Sequence, residues 1–117
     1  MKATIAKRVS FDAAHFLPNY VGKCKNIHGH HWLVEVGVTG EVDSQTGMVM
    51  DFTYVKEVLD REVVKQFDHK LVNDTLKNPT AENIATYIRR KVNDYLGVDI
   101  EFVRVWETED SYAEVRK

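Results

Sequence analysis

Cys24-Lys25-Asn26-Ile27-His28-Gly29-His30-His31-Trp32-Leu33-Val34-Glu35-Val36-Gly37-Val38-Thr39 is the stretch of this 117-residue chain from which the fold is most readily read. Its second half alternates. Trp32, Val34, Val36 and Val38 fall on one face, with Leu33, Glu35 and Thr39 on the other, which is the period of a strand and places one at 30–42. Residues 13–29, which include the first half, contain Pro18, Gly22 and Gly29 and read as a long loop. Upstream, Ile5, Val9 and Phe11 mark a strand over 3–12, although Lys7 interrupts its apolar face. Downstream, Asp43-Ser44-Gln45-Thr46-Gly47 is a turn, and Met48 to Phe52 could extend or pair with the sheet.

The rest of the chain changes period. Val55, Val58, Leu59 and Val63 keep helical spacing over 53–66. Ile84, Ala85, Ile88, Val92, Tyr95 and Leu96 do the same over 81–96, with Thr80 as the cap after Pro79 and Gly97 as the stop. Two further strands follow, near 99–107 and 111–116. The order is ββααββ, and one sheet with two helices on one face is the simplest α+β arrangement for it. Such a sheet keeps two open edges and one uncovered face, which favours self-association.

Composition narrows the class. Hydrophobic residues make up 44% and charged residues 29% of a length that suits one domain over 1–117, so disorder is not expected. The net charge is -2, and the longest basic run, Arg89-Arg90-Lys91, lies on a helix, so nothing points to nucleic acid. No apolar run approaches the ~20 residues that span a bilayer. Lys2, Lys7 and Arg8 recur too soon for a signal peptide, which points to the cytoplasm.

The candidate chemistry is concentrated in the opening stretch. On a strand, residues i and i+2 share a face, so His28 and His30 present two imidazoles side by side while His31 points away. Gly29 between them lets the backbone come close to a bound group. A lone His-x-His describes two polar residues at a strand end equally well. His15 alters that balance, because Ala13 and Ala14 leave room around its ring and pairing of the first two strands would bring it to His28 and His30. Three imidazoles leave a tetrahedral zinc one open position, as in a catalytic site. A structural site is normally closed by four ligands, several of them cysteines, and this chain has one cysteine.

That cysteine, Cys24, has no internal disulfide partner. Lys23, Lys25 and a nearby metal would favour its thiolate and suit acid/base work; the alternatives are a buried thiol or a fourth zinc ligand. Asp68-His69 pairs a carboxylate with an imidazole that it could orient, unless it is simply a polar loop. Glu107 shares a face with Val103 and Val105 and must find donors there, from a salt bridge or from a ligand with adjacent N–H groups.

Together these segments resemble the 6-pyruvoyltetrahydropterin synthase / 6-carboxytetrahydropterin synthase family over nearly the whole chain. The resemblance is carried, in order, by Phe11-Asp12-Ala13-Ala14-His15, Cys24-x3-His28-Gly29-His30, Met50-Asp51-Phe52, Phe67-Asp68-His69, Pro79-Thr80-Ala81-Glu82-Asn83 and Glu107-Thr108. It implies the tunnelling fold, with a four-stranded antiparallel sheet and two helices. It also implies a homo-hexamer built as a dimer of trimers, with the site between subunits. The implied ligands of Zn2+ are His15, His28 and His30, the implied catalytic residues Cys24, Asp68 and His69, and the implied pterin anchor Glu107. The three-residue spacer between Cys24 and His28 is similar to that of the queuosine-pathway 6-carboxytetrahydropterin synthases. Thr53-Tyr54 departs from the family pattern, where a smaller polar pair is expected. The implied reaction converts 7,8-dihydroneopterin triphosphate to 6-carboxy-5,6,7,8-tetrahydropterin with release of acetaldehyde and triphosphate. Triphosphate elimination alone, giving 6-pyruvoyltetrahydropterin, and a non-catalytic zinc-binding assembly module are the alternatives.

Overall fold

The structure, a computed structural model, describes residues 1–117. Strands β1 (Lys2–His15) and β2 (His28–Glu41) form an antiparallel ladder that runs in unbroken register from Lys2 opposite Glu41 to His15 opposite His28. After the helix that begins at α1 (Phe52–Leu59) come a short strand β3 (Lys70–Leu71), helix α2 (Ala81–Leu96), and strands β4 (Ile100–Thr108) and β5 (Ser111–Arg116). The sheet order is β3-β1-β2-β4-β5.

The sheet therefore has five strands, not the four expected. The extra strand, β3, lies parallel to β1, with Lys70 opposite Ala13 and Leu71 opposite Ala14. A strand of two residues is too short to show a period, so its sequence carries no signal. The same pairing corrects the end of β1. Ala13 and Ala14 are bonded to β2 on one side and to β3 on the other, and the strand runs on to His15 where a loop was expected from residue 13. Beyond it, Asn73 completes the edge with its side chain: Oδ1 accepts from the Phe16 N–H at 2.9 Å and Nδ2 donates to the Phe16 carbonyl at 2.9 Å. Residues 48–52 do not join the sheet. Met48 closes the turn by accepting from the Asp43 N–H at 3.0 Å, and Asp51 instead caps α1, accepting from the Thr53 N–H at 2.8 Å.

Helix α1 continues through a π-helical stretch (Asp60–Val64) and a closing turn (Lys65–Phe67), an irregularity that apolar spacing does not reveal. Helix α2 has the cap and stop read from its sequence: Thr80 Oγ1 accepts from the Asn83 N–H at 3.1 Å, and Gly97 takes the left-handed conformation at φ 67°. Both helices lie on one face of the sheet. Val9, Phe11, Trp32, Val34, Val36, Val103 and Val105 from the strands pack there against Val55, Leu59, Ile84, Ile88 and Val92 in one apolar core.

The opposite face has no helix. A row of charges crosses it instead, set by the strand register: Arg8 is opposite Glu35, Glu35 opposite Arg104, and Arg104 opposite Glu114. Glu35 is 7% exposed and bonds Arg8 at 2.6 Å and Arg104 at 2.9 Å. Two donors keep a carboxylate charged at that burial. One step along the strands, Phe102 lies flat over Gly37, where an added Cβ would stand 2.2 Å from the ring. Gly37→Ala is expected to cost about 1–3 kcal/mol, read as a lower urea midpoint at unchanged slope. Phe102→Ala in the same chain should recover part of that loss; strictly additive losses would show that the ring is not the obstacle.

Candidate metal centre

The register of β1 against β2 builds the site. His15 and His28 are direct cross-strand partners at the end of the ladder, and His30 faces Ala13, whose methyl leaves space for a ring. The three imidazoles gather on the helix-covered face, with ring centroids 4.6, 4.9 and 5.2 Å apart. Trp32 closes the inner side. Its ring meets His15 and His30 edge-on at 4.9 and 5.3 Å, and its indole N–H donates to the Ala13 carbonyl at 3.2 Å.

Hydrogen bonds behind two of the rings fix their tautomers. His15 Nδ1 lies 2.8 Å from the Pro79 carbonyl, and His28 Nδ1 lies 2.7 Å from the Asn26 carbonyl. A carbonyl only accepts, so each Nδ1 carries the hydrogen and each Nε2 offers a bare lone pair. Nε2 of both His15 and His30 is buried with no hydrogen-bond partner. Burial lowers the pKa of His15 and of His30 below the ordinary histidine range, and the neighbouring His28 adds to the effect. The lowered values of His15 and His30 and the bare Nε2 atoms of His15 and His28 suit a divalent metal.

Glu107, at the end of β4, completes the group. One ligating atom from each of His15, His28, His30 and Glu107 lies within 4.8 Å of all the others. Glu107 Oε1 is 3.2 Å from His30 Nε2. The Glu107 charge pulls the His30 pKa up, but burial outweighs it, so this contact is not an ion pair at neutral pH. Its proximity to the histidines went unread in the sequence. The signal was present, since Glu107 continues the face of Val103 and Val105, which is the face of Trp32 and His30.

The other candidates lie outside this group. Cys24 is half-buried in a short turn (Lys23–Lys25), anchored through its carbonyl, which accepts from the Leu17 N–H at 2.8 Å. Asp68 and His69 sit on the outer edge of β1. The Asp12 N–H donates to Asp68 Oδ1 at 3.0 Å, the His69 N–H donates to the Asp12 carbonyl at 2.7 Å, and His69 Nδ1 is 3.1 Å from Asp68 Oδ1. The Asp12 bond and, less strongly, His69 hold the Asp68 carboxyl below its ordinary pKa. His69 adopts φ 60°, a left-handed conformation for a side-chain-bearing residue, and its ring is largely exposed. His31, which sequence reasoning left without a role, pairs with Asp12 at 2.8 Å.

Two clefts meet at Gly29-His30-His31. One, of about 710 Å³, runs past Leu33, Trp106 and Glu107, while the other, of about 510 Å³, runs past Asp12, His69 and Lys70.

The sequence matches the family model described as 6-pyruvoyl tetrahydropterin synthase over residues 4–117. The chain belongs to that family. It is 42% identical over 109 residues to the dihydroneopterin monophosphate aldolase of Pyrococcus furiosus, covering 92% of this chain and 91% of the relative. It is 41% identical over 115 residues to the 6-carboxy-5,6,7,8-tetrahydropterin synthase of Synechocystis, covering 93% and 89%. Among solved structures, the 6-pyruvoyl tetrahydropterin synthase of Caenorhabditis elegans superimposes with a TM-score of 0.89 at 27% identity, covering 100% of this chain and 96% of that one.

The lowered histidine pKa values make the metal-free family member sensitive to acid. A folded-state value below the unfolded one means that the unfolded chain takes up protons first as pH falls. The contribution to stability is therefore complete above about pH 6.5 and is lost as pH falls through the lowered folded values. The melting temperature of metal-free protein should fall on acidification from about pH 6.5, and less steeply in His15→Gln. Equal pH slopes in the two proteins would contradict the assignment.

Proposed function

We infer that the chain is a zinc-dependent lyase acting on the side chain of a reduced pterin, with 7,8-dihydroneopterin triphosphate as its substrate. The observation that carries this reading is the convergence of three imidazoles, two with fixed tautomers, beside Glu107, with His30 and Glu107 lining one cleft. His15, His28 and His30 would hold the zinc, which when bound supplies a Lewis acid for the oxygens of the substrate side chain. The donor set fits, since His15 and His28 each present a bare Nε2 with a carbonyl behind Nδ1, and His30 stands beside them.

The protein's own groups do the rest. Trp106 and Leu33 offer a flat apolar wall to the pterin ring, and Glu107 accepts paired charge-assisted hydrogen bonds from its amino and ring N–H edge. Cys24 moves protons at the side-chain carbons, and His69, oriented by Asp68, is the partner acid/base. Triphosphate leaves by elimination. Cleavage of a carbon–carbon bond, with one water consumed, then gives acetaldehyde and 6-carboxy-5,6,7,8-tetrahydropterin. In this reading the single domain assembles in the cytoplasm as a hexamer of two trimers. The edge of β1 that β3 leaves uncovered and the edge of β5 would join neighbouring copies, with His69 of one copy serving the site of the next. No helix is long and apolar enough to cross a membrane.

The Pyrococcus relative supports a second reading, aldol cleavage of dihydroneopterin monophosphate, in which the phosphate stays on the departing two-carbon fragment. Incubating zinc-loaded protein with each substrate and identifying the products by mass separates the two. Acetaldehyde with a carboxypterin from the triphosphate supports the first; a hydroxymethylpterin from the monophosphate replaces it with the second.

Cys24→Ala should retain zinc and lose turnover by about 10²-fold or more. His28→Ala should lower zinc occupancy sharply. Metal analysis beside turnover checks both, and loss of zinc from Cys24→Ala would make Cys24 a ligand instead.

A further inference from the structure

The chain has six arginines, and four of them are in ion pairs: Arg8 and Arg104 with Glu35, Arg61 with Glu62, and Arg116 with Glu114. The two without an acidic partner, Arg89 and Arg90, are neighbours on α2. Both line a pocket of about 370 Å³ between α2 and the end of β5. Thr86, Asn93, Val115 and Arg116 complete the lining, which includes no carboxylate. The pocket shares no residue with the two clefts beside the histidines. It lies toward the other end of β4, where Arg116 is opposite Phe102.

As sequence, Arg89-Arg90-Lys91 is one solvated run on a helix, but the three side chains part company in the fold. Arg89 turns inward. Its Nη2 donates to the Ile100 carbonyl at 3.2 Å, and its Nε is buried with no hydrogen-bond partner. A guanidinium does not give up its proton, so a buried N–H of this kind calls for an acceptor. Arg90 is exposed and lies 6.0 Å from the centre of the Tyr87 ring. Two more donors stand beside them. Asn93 Oδ1 accepts from the Ile100 N–H at 3.0 Å, which leaves Nδ2 unused. β5 is the last strand of the sheet, and the Lys117 N–H just past it turns inward to the Glu101 carbonyl at 3.0 Å. Bonded residues alternate along an antiparallel edge, so the Arg116 N–H points off the sheet.

We propose that this pocket binds a phosphate dianion from solution, as a site separate from the histidine cluster. Two adjacent guanidiniums with no counter-charge repel each other, and an anion between them removes that cost. The donors also outnumber what a carboxylate can use. A carboxylate brings two oxygens and one charge, enough for a single guanidinium fork. A phosphate brings more oxygens and a second charge, which suits two forks with an amide and a main-chain N–H at their side. The inference does not depend on the pterin reading.

Calorimetric titration of inorganic phosphate into the zinc-loaded full-length protein tests this, with chloride at equal ionic strength as the control. The wild type should bind a single phosphate per chain and melt at a higher temperature in phosphate than in chloride. Arg90→Gln should weaken that binding about 10-fold or more and leave zinc content unchanged. Arg89→Gln should weaken it as well. Arg89 also bonds the Ile100 carbonyl, so the exposed Arg90 decides the matter if the Arg89 variant folds poorly. A wild type that takes up no phosphate would overturn the proposal. So would an Arg90→Gln protein that binds phosphate as tightly as the wild type. If the mass of the assembled protein then also fell on ultracentrifugation, the acceptor would be an acidic group of a second copy instead.

Discussion

The antiparallel ladder between β1 and β2 is the constraint on which the rest depends. Its register sets Val9 opposite Val34 and Phe11 opposite Trp32, which makes the helix-covered face continuous. The same register sets Arg8 opposite Glu35 on the bare face and His15 opposite His28 at the end. A slip of one residue would turn every one of these side chains to the wrong face. Core, charge row and histidine cluster are therefore three readings of one alignment, and no one of them can shift without the others.

At the end of the ladder, chemistry is prepared by what surrounds each imidazole more than by the imidazoles themselves. Carbonyls of Pro79 and Asn26 fix which nitrogen of His15 and His28 is bare, and Trp32 removes water from the inner side. Leaving lone pairs buried without partners costs free energy, and a fold that tolerates this cost is organised around an occupant. The family to which the chain belongs gives that occupant its context, a site for pterin chemistry. Glu107 links the two, because one carboxylate touches both the histidine group and the cleft.

Much of this was legible in the sequence, for identifiable reasons. The alternation of Trp32, Val34, Val36 and Val38 declares a strand and its buried face. The spacing of Ile84, Ala85, Ile88 and Val92 between Thr80 and Gly97 declares a helix with both its ends. His15, His28 and His30 could be brought together on paper because strand geometry fixes which residues share a face. What stayed hidden had no periodic signal. A two-residue strand at Lys70–Leu71, a π-helical stretch at Asp60–Val64 and a strand prolonged through Ala14 all arise from contacts between distant segments. Met48 to Phe52 looked like sheet because it is apolar, but Asp51 is better used as a cap. Glu107 was seen as a carboxylate in need of donors; that it would stand among the histidines depended on β4 lying next to β2.

The carbonyl that holds His15 comes from Pro79, 64 positions along the chain, and the segment between them is pinned to the end of β1 by Asp12 and Asn73. Closing so long a loop is slow, and it is rewarded only once the intervening helix has been packed. The histidine cluster therefore belongs to the late part of folding. A cation meeting the nascent chain would find His28 and His30 close in sequence but no third ring correctly turned. Ligation at this cluster would then act as a check on a finished fold, selecting molecules in which distant parts of the chain have already met.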